Sequence, residues 1–520
     1  KAVKEKGRDS IWKFIVQNLY KPYFLADKFD YVIGNPPWFT YSSIRNLEYQ
    51  SILDALANKH NIKEKQKGTF AHLEIAIIFL AHSCNYFLNE KGKLAFVLPR
   101  SIFTGKQHNK TRKGEALGFL IESVWDLERV KPLFRIPCCV VFAKHPLDGK
   151  KKSIKEFDGS IFFGNLPYHN CILNDIKNTL TEEKNKWYLV QQGKSSSLSK
   201  SKSKAVIKEN PYKEQFKAGA TLRPRAFCFV KITQETPKDF TNRLLTIQTS
   251  EDIQNDAKVP WKGLVFNGKI ESNFLFKTAI SNSILPFSLY SPDLVVLPIL
   301  IEKVNDTSKK IKLLEPVELM REGFFEASKW FQNVENVWKV HRTELNEQYS
   351  AAQYLNYQNK IVSQDLNSSF LVLYNSSAKD ANATILDRNN YNLEFIADHK
   401  TYWLGTNSYD ESYYLTAIIN SNITNERMKD FQTRGLFGAR DVHKKILDIY
   451  FPRFDETNEV HKKLAELSET AHKKAAKYLE DNPPQKELTA TRLGKLRLDI
   501  KKHLSEEMKE IDKLVKKVVG

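Results

Sequence analysis

Cysteine is scarce in this chain and shows no pairing pattern. The five cysteines (Cys84, Cys138, Cys139, Cys171 and Cys228) contain no C-x-x-C and sit in apolar or mixed surroundings. That excludes both a zinc-ligand framework and a disulfide scaffold, and it fits a reducing cytoplasm. Long apolar runs are also missing: no eighteen consecutive residues are apolar, so no membrane span is expected. The N-terminus is Lys-rich and amphipathic, without the apolar core of a signal peptide, and the first residue is Lys instead of Met, as expected of a piece of a longer protein. What is abundant is positive charge. Eighty Lys and Arg against sixty-one Asp and Glu leave a formal net charge of +19, spread along all 520 residues. Such a balance suits a polyanionic partner, because each phosphate neutralised releases condensed counterions.

The length allows two or three domains, each able to bury its own core. Residues 9–20 place Ile11, Ile15 and Leu19 on one stripe behind Asp9, a short helix. Phe29–Ile33 is an apolar run ending at Gly34 and reads as a buried strand; 70–88 reads as a buried helix; 94–98, 123–127 and 138–143 read as further strands. Strands alternating with helices predict an α/β domain over 1–150 with parallel pairing and functional residues at the carboxyl ends of its strands. After residue 150 the pattern changes. Residues 151–205 read as a linker with a Ser/Lys-rich loop, GKSSSLSKSKSK (193–204), too poor in apolar residues to pack. A mixed α+β domain is expected over 206–455. Apolar residues stepping by three or four from Val460 to Ala471 and from Leu493 to Val518 predict a helical hairpin over 456–520, joined around DNPPQ.

The ten residues FDYVIGNPPW, Phe29 to Trp38, end a strand on Asn, two prolines and an aromatic ring. This resembles the catalytic loop of the amino-methyltransferases, and in particular the gamma-class adenine-N6 DNA methyltransferases. The chemistry explains the residue types. An exocyclic adenine amine is a poor nucleophile, since its lone pair is delocalised into the ring. The Asn35 side-chain oxygen and the Pro36 carbonyl can each accept one N6–H bond, which localises the lone pair and strengthens as charge develops. Pro36 and Pro37 stiffen the loop, and Trp38 offers a face on which an extruded base can stack. Asn482-Pro483-Pro484 repeats the tripeptide between polar helices, with no strand before it and no aromatic after it, and reads as a turn.

The resemblance continues along the chain. Lys67-Gly68-Thr69-Phe70 is similar to the next block of that family, with Phe70 near the target base. The strand 94–99 and the following Arg100-Ser101-Ile102-Phe103 are similar to the next strand and loop, where Arg100, Lys106 and Arg112 are expected at phosphates. CCVVFAK (138–144) is similar to the block supplying a second aromatic to the adenine sandwich, here Phe142. GATLRPRAFCFV (219–230), ESYYLTAIINSNI (411–423), FQTRGLFGARDVHKKILDIYFPRFD (431–455) and EIDKLVKKVVG (510–520) look like the large methylases of type IIG restriction-modification and of phage-defence systems such as DISARM and BREX.

This resemblance implies a fold and a partner set. The fold is the C-terminal half of a Rossmann-like methyltransferase domain, then a mixed α+β target-recognition domain, then a helical hairpin. The partners are double-stranded DNA and, in a defence system, other subunits. Arg223, Arg225, Arg434, Arg440 and His443 are the expected DNA contacts, as Arg both reads guanine edges and binds phosphates; each is equally suited to a surface ion pair. The cofactor implied is S-adenosylmethionine, near Asn35 and Pro36. Its glycine turn, however, is absent: no two glycines are separated by one residue, and Gly435-Leu436-Phe437-Gly438 sits in polar surroundings. The turn is therefore expected on an upstream portion of the same protein. No metal site and no paired acidic-lysine nuclease constellation is read. Two alternatives stand: a recognition fragment inactive without its upstream half, and a protein-glutamine methyltransferase, whose enzymes use a similar loop but lack a long recognition extension. Cytosine-N4 transfer is disfavoured, since those enzymes usually carry Ser at the Asn35 position.

Overall fold

The computed structural model describes residues 14, 23–64, 67–145, 155–168, 170–192, 195–200, 209–305, 308–429, 432, 434–435, 438–439, 442–484 and 488–519. The predicted helix at 9–20 apart from Phe14, the basic residues 201–204 and Arg440 lie outside them. The chain divides into two units: Lys1–Lys208 with Lys429–Arg440, and Glu209–Met428 with Asp441–Gly520.

The first unit is built on a seven-stranded sheet of β1 (Phe29–Gly34), β2 (Leu88–Pro99), β3 (Leu120–Lys131), β4 (Cys138–Lys144), β5 (Glu156–Asn165), β6 (Leu180–Gln192) and β7 (Ser195–Ser199), in the order β1-β2-β4-β3-β5-β6-β7. All four predicted strands are present. Their pairing differs from the expectation: β1–β2 and β3–β5 are parallel, while β2–β4, β3–β4, β5–β6 and β6–β7 are antiparallel. The connection from β3 to β4 is only residues 132–137, too short for a crossover of a dozen residues or more, so the chain must turn back on itself.

The core lies on the sheet face that receives the helix Ala76–Phe87. Ala76, Ile77, Ile78, Leu80, Ala81 and Cys84 of this helix are buried with Leu94, Phe96 and Leu98 of β2 and Cys139, Val141 and Ala143 of β4. Each fully buried Leu or Ile there contributes about 1.5–3 kcal/mol. A second helix, Leu47–Lys59, starts where the Asn46 side chain accepts the Tyr49 N–H at 2.9 Å.

β1 is not the buried strand that its apolar run suggests. It is an edge strand of the described sheet; Val32 packs on the core, but Tyr31 is 71 % and Ile33 84 % exposed. An apolar run reports propensity, not which faces are covered.

The linker reading of 151–205 is also corrected, because residues 156–199 contribute three strands of this sheet. The Ser-rich stretch packs despite its polarity: Ser196, Ser197, Leu198 and Ser199 of β7 are buried, and the buried Arg112 guanidinium donates to the Ser196 carbonyl at 2.8 Å.

The second unit holds a five-stranded antiparallel sheet ordered Asn267–Glu271, Leu244–Thr249, Phe229–Ile232, Asp293–Val296, Leu275–Thr278. The helix Phe325–His341 shares its core. A four-stranded sheet joins Ala383–Asp387, Phe370–Asn375, Thr401–Thr406 and Lys217–Ala218. The predicted C-terminal hairpin is instead three helices: Glu459–Asp481, Ala490–His503 and Ser505–Val519. Its apolar stripes, including Leu464, Ala471, Ile500, Met508 and Ile511, share a core with Tyr414, Leu415 and Ile418 of the helix Tyr409–Asn420, so they belong to the second unit's interior. Asn482 of the second tripeptide caps the end of the first of these helices, its N–H donating to the Tyr478 carbonyl.

Candidate active site

Parallel pairing of β1 with β2 brings Gly34 opposite Phe96 and delivers the loop Asn35–Trp38 at the carboxyl end of the strand pair. Gly34 suits this place, since a Cβ there would stand 3.0 Å from the Phe96 ring. Asn35 and Pro37 are exposed, Pro36 is buried and Trp38 is half-buried. Among the described residues neither the Asn35 side chain nor the Pro36 carbonyl makes a hydrogen bond, so neither acceptor is spent on another of them. The Trp38 indole N–H donates to the Val97 carbonyl at 3.1 Å, fixing the ring over the end of β2.

Phe134, from the β3–β4 connection, meets Trp38 with ring centroids 4.9 Å apart and planes at 60°. Phe134 is 46 % exposed, and it is the aromatic that the structure brings to the loop. The residue expected there does not arrive. Phe142 lies mid-strand in β4 and packs edge-on against Trp125 at 4.8 Å. Phe70 is a core residue, 6 % exposed, against Tyr41 at 4.4 Å with Lys63 over its ring. Phe134 carried one sequence signal, its place in a proline-bounded turn between two strands, PLFRIP.

The loop is held from behind. The Ile75 N–H donates to the Phe39 carbonyl at 2.9 Å, Thr40 bridges to Glu74, the Tyr41 N–H donates to the Leu73 carbonyl at 2.8 Å, and the Ser42 N–H donates to that of Ala71 at 3.1 Å. Glu74, a lone carboxylate in an apolar stretch, receives Ser101 Oγ at 2.6 Å, His108 Nε2 at 2.8 Å and Gln107 Nε2 at 3.2 Å. Burial opposes its charge, but the His108, Ser101 and Gln107 contacts outweigh it and hold the carboxyl at about 2.

The expected phosphate contacts after β2 divide. Lys106 is exposed. Arg100 is committed to Asp126, donating from Nε and Nη2 at 2.9 Å each, with Glu128 3.2 Å from Nε. Arg112 is fully buried and reaches no solvent; it donates to the carbonyls of Ile102, Gly105 and Ser196 at 2.8–2.9 Å, and burial lowers its pKa to about 9. Neither Arg100 nor Arg112 is placed to meet a phosphate, because a guanidinium in an apolar interior spends its donors on buried acceptors.

In the second unit, Arg223 is exposed and Arg225 is half-buried, its guanidinium 5.3 Å from the Phe229 ring centroid. His443 is exposed, and its carbonyl accepts the Tyr374 hydroxyl at 2.8 Å. Arg434, which belongs to the first unit, is described only as backbone, in a two-residue strand paired with Gly438–Ala439. Among the described residues no group of three or more His, Cys, Asp or Glu side chains is placed to hold a metal ion, and no helix is long and apolar enough to cross a membrane.

Residues 3–134 match the family model described as Eco57I restriction-modification methylase. No curated protein matches the chain. Among solved structures, the chain is similar to the type IIL restriction-modification enzyme MmeI in complex with DNA: 13 % identity, TM-score 0.54, covering 97 % of this chain and 55 % of that one. The ATP-dependent type ISP restriction-modification enzyme LlaBIII bound to DNA also matches, with 10 % identity and a TM-score of 0.41 over 93 % of this chain and 37 % of that one. The chain thus spans about half the length of the first of these enzymes and less of the second. Residues 3–134, which contain the Asn35–Trp38 loop, are thus similar to the Eco57I restriction-modification methylase family, and the fold of the chain is similar to that of part of MmeI.

Proposed function

We propose that this chain is the catalytic-loop and DNA-recognition portion of a site-specific adenine-N6 DNA methyltransferase of a restriction-modification or phage-defence system. The observation that carries the reading is the loop itself: two unsatisfied acceptors, Asn35 Oδ1 and the Pro36 carbonyl, beside a ring pair, at the end of a strand inside the family match. Two acceptors answer the two N–H bonds of an adenine amine. Trp38 and Phe134 would receive the base after it leaves the duplex. Lys106, Arg223, Arg225, Arg434, Arg440 and His443 are the proposed DNA contacts; Arg100 and Arg112 leave that set.

S-adenosylmethionine would supply the electrophilic methyl group. The described residues do not by themselves form its pocket, since the chain has no G-x-G turn. The edge of β1, open among the described residues and with Tyr31 and Ile33 exposed, is where a segment bearing that turn would pair and complete the sheet.

The test compares the 520-residue chain with the full-length protein. The chain alone is expected to bind duplex DNA and transfer no methyl group, while the full-length protein does both. Transfer by the isolated chain would overturn the split cofactor site, and methylation of protein glutamine in place of DNA would overturn the substrate.

A further inference from the structure

We propose that Glu74 is a positioning residue for methyl transfer, registering the Asn35–Trp38 loop against residues 100–108; this rests on the methyltransferase reading above. Glu74 belongs to both sides of the junction. Its main chain bridges to Thr40, within the short ladder that ties 39–42 to 71–75. Its side chain gathers Ser101, Gln107 and His108 from the segment following β2. A carboxylate only accepts, so His108 Nε2 carries the hydrogen and the ring orientation is set. The same segment is anchored from other directions by Arg100 to Asp126, by Arg112 to the Ile102 and Gly105 carbonyls, and by Thr104 Oγ1 donating to the Gln432 carbonyl at 3.1 Å. Lys106 stands exposed on this rigid segment.

Stability alone does not call for a carboxylate at this place. Glu74 is flanked by Leu73, Ile75, Ala76, Ile77 and Ile78, all buried, and a hydrophobic residue in place of a buried charge network is often neutral or stabilising. What three converging hydrogen bonds add is a fixed geometry between the loop that would hold the amine and the segment that would hold the DNA backbone. Transfer is sensitive to such geometry, because reacting atoms must be held within a fraction of an ångström.

The experiment uses the full-length protein and two duplexes, one with adenine at the target position for the transfer rate and one with 2-aminopurine there, which has no 6-amino group, for base extrusion alone. Glu74→Gln keeps the size and removes the charge. Expected are a single-turnover rate lower by about 10–100-fold, with DNA Kd and the 2-aminopurine signal unchanged at a temperature where the variant is folded, its Tm being lower because a buried acceptor of three donors is lost. A wild-type rate in Glu74→Gln, or a rate loss that only follows loss of DNA binding or folding, overturns the proposal. Should that variant fail to fold, Ser101→Ala and Gln107→Ala each remove one donor and must show the same selective loss of rate; wild-type rates in both overturn it as well. A wild-type protein that transfers no methyl to DNA defeats the underlying reading instead. An active wild type, an inactive Asn35→Ala and a wild-type-like Glu74→Gln defeat this inference alone.

Discussion

Asn35 and Pro36 divide the work that the loop is proposed to do: one acceptor comes from a side chain and can be removed, the other from the backbone and cannot. Asn35→Ala is therefore expected to lower the transfer rate by at least about 10²–10³-fold, the range for deleting one preorganised polar partner of a transition state, with duplex binding unchanged in a mobility-shift assay. Loss of binding to the same degree would give Asn35 a structural part instead. The ring pair makes a second, sharper claim. Phe134→Ala is expected to weaken capture of the extruded base by about 1–3 kcal/mol, the scale of base stacking on an aromatic, read as a drop in 2-aminopurine fluorescence. Phe142→Ala, whose ring packs on Trp125, is expected to leave that signal unchanged. The opposite ranking would restore Phe142 to the site.

At the scale of elements, the Arg112 side chain ties the segment after β2 to the strand β7. Arg112 links the Ile102 and Gly105 carbonyls to Ser196, 84 residues away. Arg112→Met would leave the Ile102 carbonyl without its donor and take one donor from the Ser196 carbonyl and from that of Gly105, which keeps the His108 N–H; a loss of at least about 1–3 kcal/mol in denaturant unfolding is expected, the cost of one group left unsatisfied. A change within experimental error would show that water replaces the guanidinium. This device also explains what the sequence hid. The four strands read from apolar runs and the Asn35–Trp38 loop were legible because they are local signals, a run of β-formers followed by proline. The Ser-rich β7 was not, because its burial depends on an arginine far away in the sequence. The pairing sense was not legible either, as it is set by the six residues 132–137, and Phe134 went unread because a loop phenylalanine announces nothing until a neighbour such as Trp38 is in place.

For the whole molecule, the buried His60 and the partly buried His472, one in each unit, tie stability to pH. Burial lowers the His60 pKa to about 4, helped by His82 and Lys59, and burial lowers that of His472 to about 4. In the unfolded chain each titrates near its ordinary 6.5, so below that pH the unfolded state takes up protons that the folded state refuses. Stability is then complete above about pH 6.5 and is lost progressively towards pH 4. Urea unfolding at pH 7 and pH 5 should show the drop, and His60→Gln should reduce it, leaving the part due to His472; an equal drop in the variant would assign the effect elsewhere. The net charge of +19 makes a second global expectation, that duplex binding weakens steeply and linearly in log Kd against log salt. Salt-independent binding would remove DNA as the partner. The most direct test of the central claim is the identity of the methylated atom. Duplex DNA treated with labelled S-adenosylmethionine and the full-length protein should yield N6-methyladenine, and the Asn35→Ala protein, still bound to that DNA, should yield none; label on cytosine, on protein, or equally from both proteins would contradict the account.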